Sequence, residues 1–113
     1  MADTVRSIST RKGTVTITTP VANGTTTETN MTGLVRWLDF TTGAMEDTDS
    51  TNFHLLNEYN GTVFSSGTLA ESVMTSVGTV FPVRGTTSII AVGEGTQGAS
   101  VNHVYNITFE EGV

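Results

Sequence analysis

The sequence has two histidines, His54 and His103, and no cysteine, which narrows the chemistry it can perform. A hydrolytic triad needs one histidine beside a serine and an acid, and neither histidine lies in a G-x-S-x-G elbow or a comparable motif. No H-x-H or H-E-x-x-H spacing indicates a zinc site. We therefore predict that the chain is not an enzyme and has no catalytic residue, metal ligand or cofactor. A small hydrolase stays open only if a histidine meets a nucleophile or an acid in space.

Three glycines, Gly93, Gly95 and Gly98, match the G-x-G-x-x-G pattern of dinucleotide-binding loops and follow an apolar run. That chemistry needs a helix N-terminus directly after the glycines, because its backbone N–H groups bind the phosphates. The next segment, residues 100–111, has the pattern of a strand, and Glu94 would repel a pyrophosphate. We interpret the glycines as a hairpin loop.

An acidic stretch places Asp47, Asp49, Thr51 and Glu58 at positions 1, 3, 5 and 12 of a calcium-loop template. The template requires glycine at position 6, where the sequence has Asn52, and helices on both sides, where the pattern predicts a strand. A solvated acidic loop is the default interpretation, and a loose surface calcium site stays open as the alternative.

Trp37 is the best candidate for an aromatic side chain that stacks on a sugar. The predicted hairpin and the last strand claim five of the eight aromatic residues for the core, which leaves Trp37, Phe40 and Phe81. Trp37 lies in an apolar strand, and such a tryptophan is usually part of the core. Both interpretations stay open.

The net charge is −6 and the sequence pI is about 4.6, which disfavours nucleic acid and anionic membranes as partners, because both attract basic proteins. The charge is uneven, since Arg6, Arg11 and Lys12 lie in the first twelve residues against the single Asp3. We predict that residues 1–12 form an N-terminal arm whose basic side chains bind a partner. The alternative is an N-terminal strand with solvated charges. No apolar run reaches the length of a membrane span, and the N-terminus lacks a signal-peptide core.

Composition and periodicity favour β structure. The sequence has 23 Thr and 9 Ser, and Thr and Val both pack well on a pleated surface. The alternation of "GTVTITT" (13–19) predicts a strand with one face in water. The segment "GLVRWLDF" (33–40) is apolar on both faces and predicts a central strand covered on both sides. Pro82 places residues 79–85 at a sheet edge or a strand end.

The dipeptide Asn60-Gly61 between two extended runs predicts a hairpin with a type I′ turn and Tyr59 opposite Thr62. The residues that this register turns toward the core are Phe53, Leu55, Tyr59 and Phe64.

Two further segments complete the predicted fold. Residues 67–78 fit either a short helix near 69–77 or extended structure. Residues 87–92 and 100–111 predict another hairpin, and in its second strand one apolar face collects Val101, His103, Tyr105, Ile107 and Phe109. The prediction is a single all-β domain over 13–113, a small β-sandwich or barrel of jelly-roll-like form, with about seven to nine short antiparallel strands.

In size and texture the whole chain resembles the capsid decoration (cement) proteins of tailed bacteriophages, which are small, acidic, free of cysteine and rich in Thr, Val and Gly. The segments that carry the resemblance are "GTVTITT", "NGTVFSSGTL", "VFPVRGTTSIIAV" and "VYNITFEE". The resemblance implies a β-sandwich or barrel, often trimeric, that binds where capsid subunits meet.

The function expected from this resemblance is that of a structural virion protein. It would decorate or cement the capsid, bind the major capsid protein at subunit junctions, and lie on the outer capsid surface after assembly in the host cytoplasm. A homo-oligomer is expected, with a trimer favoured because symmetry multiplies weak contacts. The alternative is a carbohydrate-binding or adhesin-like β module, which a virion could also display. Such a module requires an exposed aromatic side chain such as Trp37.

Overall fold

Alternating apolar and polar residues build eight strands and, within the described residues, no helix. The computed structural model describes residues 8–17, 23–44, 50–94 and 100–111. The strands are β1 (Ile8–Ile17), β2 (Asn23–Glu28), β3 (Gly33–Thr41), β4 (Ser50–Leu56), β5 (Thr62–Leu69), β6 (Met74–Val83), β7 (Thr87–Glu94) and β8 (Val101–Glu111). No helix in the described part of the chain is long or apolar enough to cross a membrane.

The strands pair as a nested set. β4 and β5 form a hairpin, and the successive outer pairs β3–β6, β2–β7 and β1–β8 are each antiparallel. Alternate pairs of this long ribbon lie in two sheets, sheet 1 with the order β1-β8-β3-β6 and sheet 2 with the order β2-β7-β4-β5. This is the topology of a jelly roll, and it confirms the predicted all-β sandwich.

A column of four phenylalanine rings joins the two sheets. Phe40 of β3 stacks on Phe53 of β4 with ring centroids 4.5 Å apart and on Phe64 of β5 at 5.9 Å. Phe64 in turn stacks on Phe81 of β6 at 6.4 Å. The rings come alternately from sheet 2 and sheet 1, so the column packs the two inner faces together. Each such pair adds about 0.5–1.5 kcal/mol beyond the area that it buries.

Strand β3 changes phase in its middle. It carries an extra residue relative to β8, because Val35 pairs with Phe109 whereas Trp37 pairs with Thr108. Arg36 and Trp37 consequently both face solvent, while Val35 and Leu38 are buried. The central position predicted for this strand is confirmed, but the predicted cover on both of its faces is wrong, because its outer face is open to solvent. The bulge explains why its sequence is apolar on both faces.

The hairpin at Asn60-Gly61 is confirmed, but its predicted turn is wrong. Leu56 pairs with Thr62, so the loop has five residues, 57–61, instead of two. Asn57 closes this loop, because its Oδ1 accepts hydrogen bonds from the backbone N–H groups of Tyr59 (3.0 Å) and Gly61 (2.9 Å). An Asn side chain that satisfies loop N–H groups in this way competes with a tight turn.

The wider loop overturns one predicted core residue. Tyr59 is 83% exposed, whereas Phe53 and Leu55 are buried and Phe64 is half-buried against the core. The hairpin is therefore scaffold apart from its tip.

Two other segments differ from the prediction or resolve it. Residues 74–83 form strand β6, so the helix considered near 69–77 is wrong and the extended alternative is right. The predicted hairpin of 87–92 with 100–111 is also wrong, because β7 lies in sheet 2 and β8 in sheet 1. A local alternation pattern does not reveal which sheet each of two successive strands joins. Pro82 lies in β6 at the edge of sheet 1, as predicted.

The predicted arm overlaps the first strand. β1 runs from Ile8 and pairs along its whole length with β8, from Ile8 opposite Glu110 to Ile17 opposite Val101. Residues 8–12 therefore belong to sheet 1, and residues 1–7 lie outside the described residues.

We expect Phe40→Ala to lower the free energy of unfolding by about 3–5 kcal/mol, because it leaves a cavity between Phe53 and Phe64 in the column that joins the sheets. Urea denaturation measures this loss. The exposed Tyr59 gives the control, since Tyr59→Ala should change the same quantity by no more than about 0.5 kcal/mol. A loss below about 1 kcal/mol for Phe40→Ala would contradict the role given to the column.

Candidate functional site

Polar side chains form a row across the outer face of sheet 1. The strand register places Lys12 of β1 beside Asn106 of β8, Asn106 beside Asp39 of β3, and Asp39 beside Ser76 of β6. Directly opposed side chains in antiparallel strands lie about 4.5–5.5 Å apart at Cβ. Four strands that are distant in sequence thus bring a cation, an amide, a carboxylate and a hydroxyl onto one surface.

Trp37 lies beside this row and is exposed. Its residue surface is 45% accessible, and its indole Nε1 donates a hydrogen bond to Asp39 Oδ1 at 3.0 Å. Ser76 Oγ donates to the same oxygen at 2.6 Å. A Cβ atom placed on Gly78, opposite Trp37, would lie only 2.9 Å from Trp37 Cζ3. The six-membered part of the indole therefore occupies the space that a side chain at position 78 would fill. This packing and the hydrogen bond to Asp39 together orient the ring.

We call the surface formed by Lys12, Trp37, Asp39, Ser76 and Asn106 the Trp37 face. An open depression of about 250 Å³ lies in it, and its lining consists of Lys12, Asp39, Thr41, Met74, Val104, Tyr105 and Asn106. Asn106 Oδ1 is buried and has no hydrogen-bond partner in the described structure. Met74 and Val80, 72% and 61% exposed, flank the face on β6.

The exposure of Trp37 decides between the two interpretations of this residue. The core alternative is wrong, because the bulge in β3 turns Trp37 outward. Sequence reasoning missed Asp39, Ser76 and Asn106 as its neighbours. The signal for them was the pairing of β3 with β8 and β6, which no local pattern contains.

Arg11, one of the three predicted partner-binding residues, is engaged within the chain. Its guanidinium donates to the backbone oxygens of Thr29 (2.8 Å) and Asn30 (3.1 Å), and it forms an ion pair with Glu28 at 3.4 Å. It also lies over the ring of Phe109, 5.8 Å from the centroid. Arg11 thus ties β1 of sheet 1 to the end of β2 in sheet 2.

Tyr105 completes this closure from the inner face of β8. Its hydroxyl donates a hydrogen bond to Glu28 Oε2, and burial together with this bond raises the pKa of Tyr105 well above its usual range. The Tyr105 hydroxyl occupies the position that a side chain at Gly13 would take. Arg11, Glu28 and Tyr105 therefore act together as a structural bridge between the sheets.

Of the other two predicted residues, Lys12 points outward onto the Trp37 face and is exposed. Arg6 lies outside the described residues. The structure therefore brings Lys12, but not Arg11, to a surface that a partner can reach.

His103 is a buried core histidine, as predicted. Its Nδ1 accepts a hydrogen bond from the backbone N–H of Gly43 at 3.1 Å, and its Nε2 lies 3.3 Å from Thr51 Oγ1. Because Nδ1 is an acceptor, the neutral imidazole carries its proton on Nε2, and this N–H donates a hydrogen bond to Thr51 Oγ1. Burial lowers the pKa of His103, since it penalises the charged form.

His54 meets a serine on the opposite surface. Its Nδ1 lies 2.7 Å from Ser65 Oγ on the outer face of sheet 2. The cross-strand neighbours of His54 are Ser65 and Ile90, neither of which is acidic. A triad needs a third group that orients the imidazole and donors that stabilise an oxyanion. The pair is the contact between a histidine and a nucleophile that the hydrolase alternative requires, and the cross-strand neighbours of His54 supply no acid to orient the imidazole.

The two ligand-loop motifs have different outcomes. Gly93 lies in β7, and the next described element is strand β8 instead of the helix that dinucleotide binding requires. Because β7 and β8 lie in different sheets, the interpretation of the glycines as a hairpin loop is wrong as well. Gly95, Gly98, Asp47 and Asp49 lie outside the described residues.

The remaining calcium-template residues do not come together. Thr51 lies at the start of β4 and Glu58 in the loop after it, and the extended run from Thr51 to Leu56 alone spans roughly 16 Å at about 3.3 Å per residue. Among the described residues no group of three or more histidines and acids is placed to hold a metal ion.

The fold and the site together define a jelly-roll β-sandwich with one exposed, hydrogen-bonded aromatic surface. No family model matches the chain, and no curated protein matches it. Among solved structures the chain is similar to part of dimeric latent PorU from Porphyromonas gingivalis, with 10% identity and a TM-score of 0.54. That similarity covers 93% of this chain but only 13% of PorU, so it supports the fold alone.

A second solved structure, the T13 IBDV viral particle, matches at 14% identity over 89% of this chain and 31% of that chain. Its TM-score of 0.32 is too low to support a conclusion about fold or function.

We expect Arg11→Ala to lower the free energy of unfolding by about 1–3 kcal/mol, because hydrogen bonds from charged groups are each worth more than neutral ones. Glu28 also loses its ion pair with Arg11, although it keeps the hydrogen bond from Tyr105. Lys12→Ala is the matched control, with a change within about 0.5 kcal/mol, since Lys12 is exposed. Urea midpoints of the two variants measure the difference. Equal midpoints would contradict the bridging role of Arg11.

The His103 environment predicts a loss of stability at acid pH. The folded-state pKa lies below the usual value of 6.5, so the unfolded chain binds a proton first as the pH falls. The contribution is fully present above pH 6.5 and declines as the pH falls from there toward the lowered folded-state pKa. Urea midpoints from pH 8 to about 5.5 measure this slope. His103→Gln should flatten it and His54→Gln should not; an equal slope in all three proteins would rule out His103 as the cause.

Proposed function

We propose that the chain is a structural virion protein that decorates or cements the capsid of a tailed bacteriophage. The observation that supports the proposal best is the jelly roll, a fold that recurs in viral capsid proteins and in lectin domains. The sandwich interior is filled by side chains. The depression on the Trp37 face and a second one between Tyr59 and Pro82 are both open. Such a body supplies a rigid shape and surfaces for docking instead of an enclosed reaction site.

In this proposal the chain binds the major capsid protein at subunit junctions and lies on the outer capsid surface after assembly in the host cytoplasm. Exposed ion pairs are each worth at most about 1 kcal/mol and are screened by salt. Since Arg11 is engaged internally, Arg6 and Lys12 are what remains of the three predicted partner-binding residues. Two such pairs are too weak alone, so the attachment needs backbone contacts and repetition by symmetry.

Residues 4–7 supply the backbone contact in the simplest arrangement. Ile8, Ser9 and Thr10 already pair with β8, so only the residues before them remain to add as a strand to a neighbour. β6 lies at the edge of sheet 1 and offers ten residues of strand for such an addition. A homotrimer, in which each arm reaches a neighbour, repeats the contact three times.

The exposed Trp37 favours a second candidate, a carbohydrate-binding or adhesin-like module. An indole that is held by Asp39 and remains 45% exposed has the properties of a binding surface. The two candidate functions share Lys12 and strand β6, because both belong to the Trp37 face as well as to the docking contacts described above.

We expect deletion of residues 1–7 to abolish co-sedimentation with undecorated capsids and to lower the oligomeric state measured by light scattering. The deletion stops before Ile8, because removing residues 8–12 would also remove the first half of β1 and its pairing with β8. Arg6→Ala/Lys12→Ala should weaken binding mainly at low salt, which separates the charge contribution from the strand contribution.

Two results contradict parts of this proposal. Unchanged capsid occupancy after the deletion would place docking on the sandwich body. Failure of the intact protein to bind any phage capsid component would reject capsid decoration as a whole.

A further inference from the structure

Trp37 combines exposure with a fixed orientation, and this combination points to a ligand. Nε1 donates to Asp39, and the ring fills the space above Gly78. A ring that is already ordered loses little conformational entropy when a ligand covers it. The outward part of the indole is therefore a preorganised apolar platform on an otherwise polar surface.

The polar row beside the platform offers both hydrogen-bond acceptors and donors. An ionised carboxylate has about four acceptor positions, and Asp39 Oδ1 takes bonds from Trp37 and Ser76, so Asp39 retains acceptor capacity. Lys12 is exposed and carries three donors. Asn106 lies between them, and its buried Oδ1 has no hydrogen-bond partner in the described structure, so this acceptor of the row is unused.

The charges on this face balance. Lys12 and Asp39 have opposite signs across Asn106, and Arg36 pairs with Glu110 at 3.1 Å on the same side of the sheet. A face without net charge does not favour an acidic polymer or a basic peptide. It suits a neutral ligand that has an apolar side for the ring and hydroxyls for the polar row.

We propose that the Trp37 face binds a neutral pyranose unit of a glycan, with the C–H face of the sugar stacked on Trp37 and its hydroxyls bonded to Asp39, Asn106 and Lys12. The negative face of an indole attracts the positively polarised C–H groups of a sugar ring. The depression of about 250 Å³ is lined by Lys12, Asp39 and Asn106 but not by Trp37, so it receives the hydroxyl side of a sugar whose C–H face covers the indole. This inference rests on the second candidate function, the carbohydrate-binding module, and names its site and ligand class.

The sequence provides a direct reporter, because Trp37 is the only tryptophan. Titration of the intact chain with methyl β-D-glucopyranoside, methyl β-D-galactopyranoside and methyl α-D-mannopyranoside should shift the Trp37 fluorescence to shorter wavelength for at least one of them. The same sugar should protect the indole from quenching by acrylamide. An array of neutral glycans then identifies the preferred unit.

Three variants test the site, with binding followed by NMR of labelled protein. Trp37→Ala should lower affinity about tenfold or more, as loss of a stacking ring does elsewhere. Gly78→Ala keeps every polar group but places a Cβ 2.9 Å from the indole, so it should also weaken binding by displacing the ring. Tyr59→Ala removes the most exposed aromatic residue in the described structure, which lies beside Pro82 and outside the Trp37 face, and it should have no effect. Urea midpoints confirm that each variant is folded.

The outcomes separate the site from the function. Glycan binding that is lost in Trp37→Ala and Gly78→Ala, but kept in Tyr59→Ala, supports the proposal. Binding that survives Trp37→Ala overturns this site and leaves a carbohydrate-binding function located elsewhere. The absence of binding to every neutral glycan overturns both. Capsid co-sedimentation that fails in Trp37→Ala, without any glycan binding, overturns the proposal by assigning the face to a protein partner.

Discussion

The phase change in β3 is the constraint on which both the core and the Trp37 face depend. A regular strand that buried Val35 would also turn Trp37 and Asp39 inward, and a carboxylate without a partner in the core is very costly. The extra residue relative to β8 restores Leu38 and Phe40 to the inner face. It also places Asp39 outside, where Trp37 and Ser76 bond to it. The same bulge thus completes the phenylalanine column and creates the exposed surface.

Different interactions join the two sheets along the two long sides of the sandwich. On the side of β1 and β2, closure is polar, with Arg11 and Tyr105 both bonded to Glu28 and Thr26 Oγ1 donating to the backbone oxygen of Thr14 at 2.8 Å. On the side of β5 and β6, stacked rings of Phe64 and Phe81 join the sheets. The polar side involves directional hydrogen bonds that fix the register of β1, whereas the aromatic side depends on area and shape.

Sequence patterns predicted the local elements and missed what depends on long-range pairing. The inward face of β8 and the edge position of β6 follow from strict alternation and from Pro82, because each is encoded within one segment. The crossing from β7 to β8 depends instead on which sheet each strand joins. The loop at 57–61 was missed because the side chain of Asn57 satisfies its N–H groups, and a dipeptide rule does not include that residue. In the site, Trp37 was identified by its residue type. The other polar residues of the Trp37 face apart from Asp39 come from three other strands, β1, β6 and β8. Charge clustering picked out Arg11, yet its partners at residues 28–30 became visible only once β1 and β2 lay together.

The exposed apolar side chains are distributed unevenly over the molecule, and this asymmetry assigns different roles to its faces. Of the six large hydrophobic residues exposed in the described structure, four lie on the outer face of sheet 1, namely Ile8, Trp37, Met74 and Val80, while Tyr59 and Val73 lie in loops. The outer face of sheet 2 presents Thr, Ser and Asn from β2 and β4 together with the half-buried Leu56, Ile90 and Val92, and none of these three is strongly exposed. Scattered apolar residues on a surface are ordinary, but a concentration on one face beside an ordered polar row is typical of a binding surface. Sheet 2 therefore serves the scaffold by supplying Phe53 and Phe64 to the core, and sheet 1 has its inner face in the core and its outer face available for a partner.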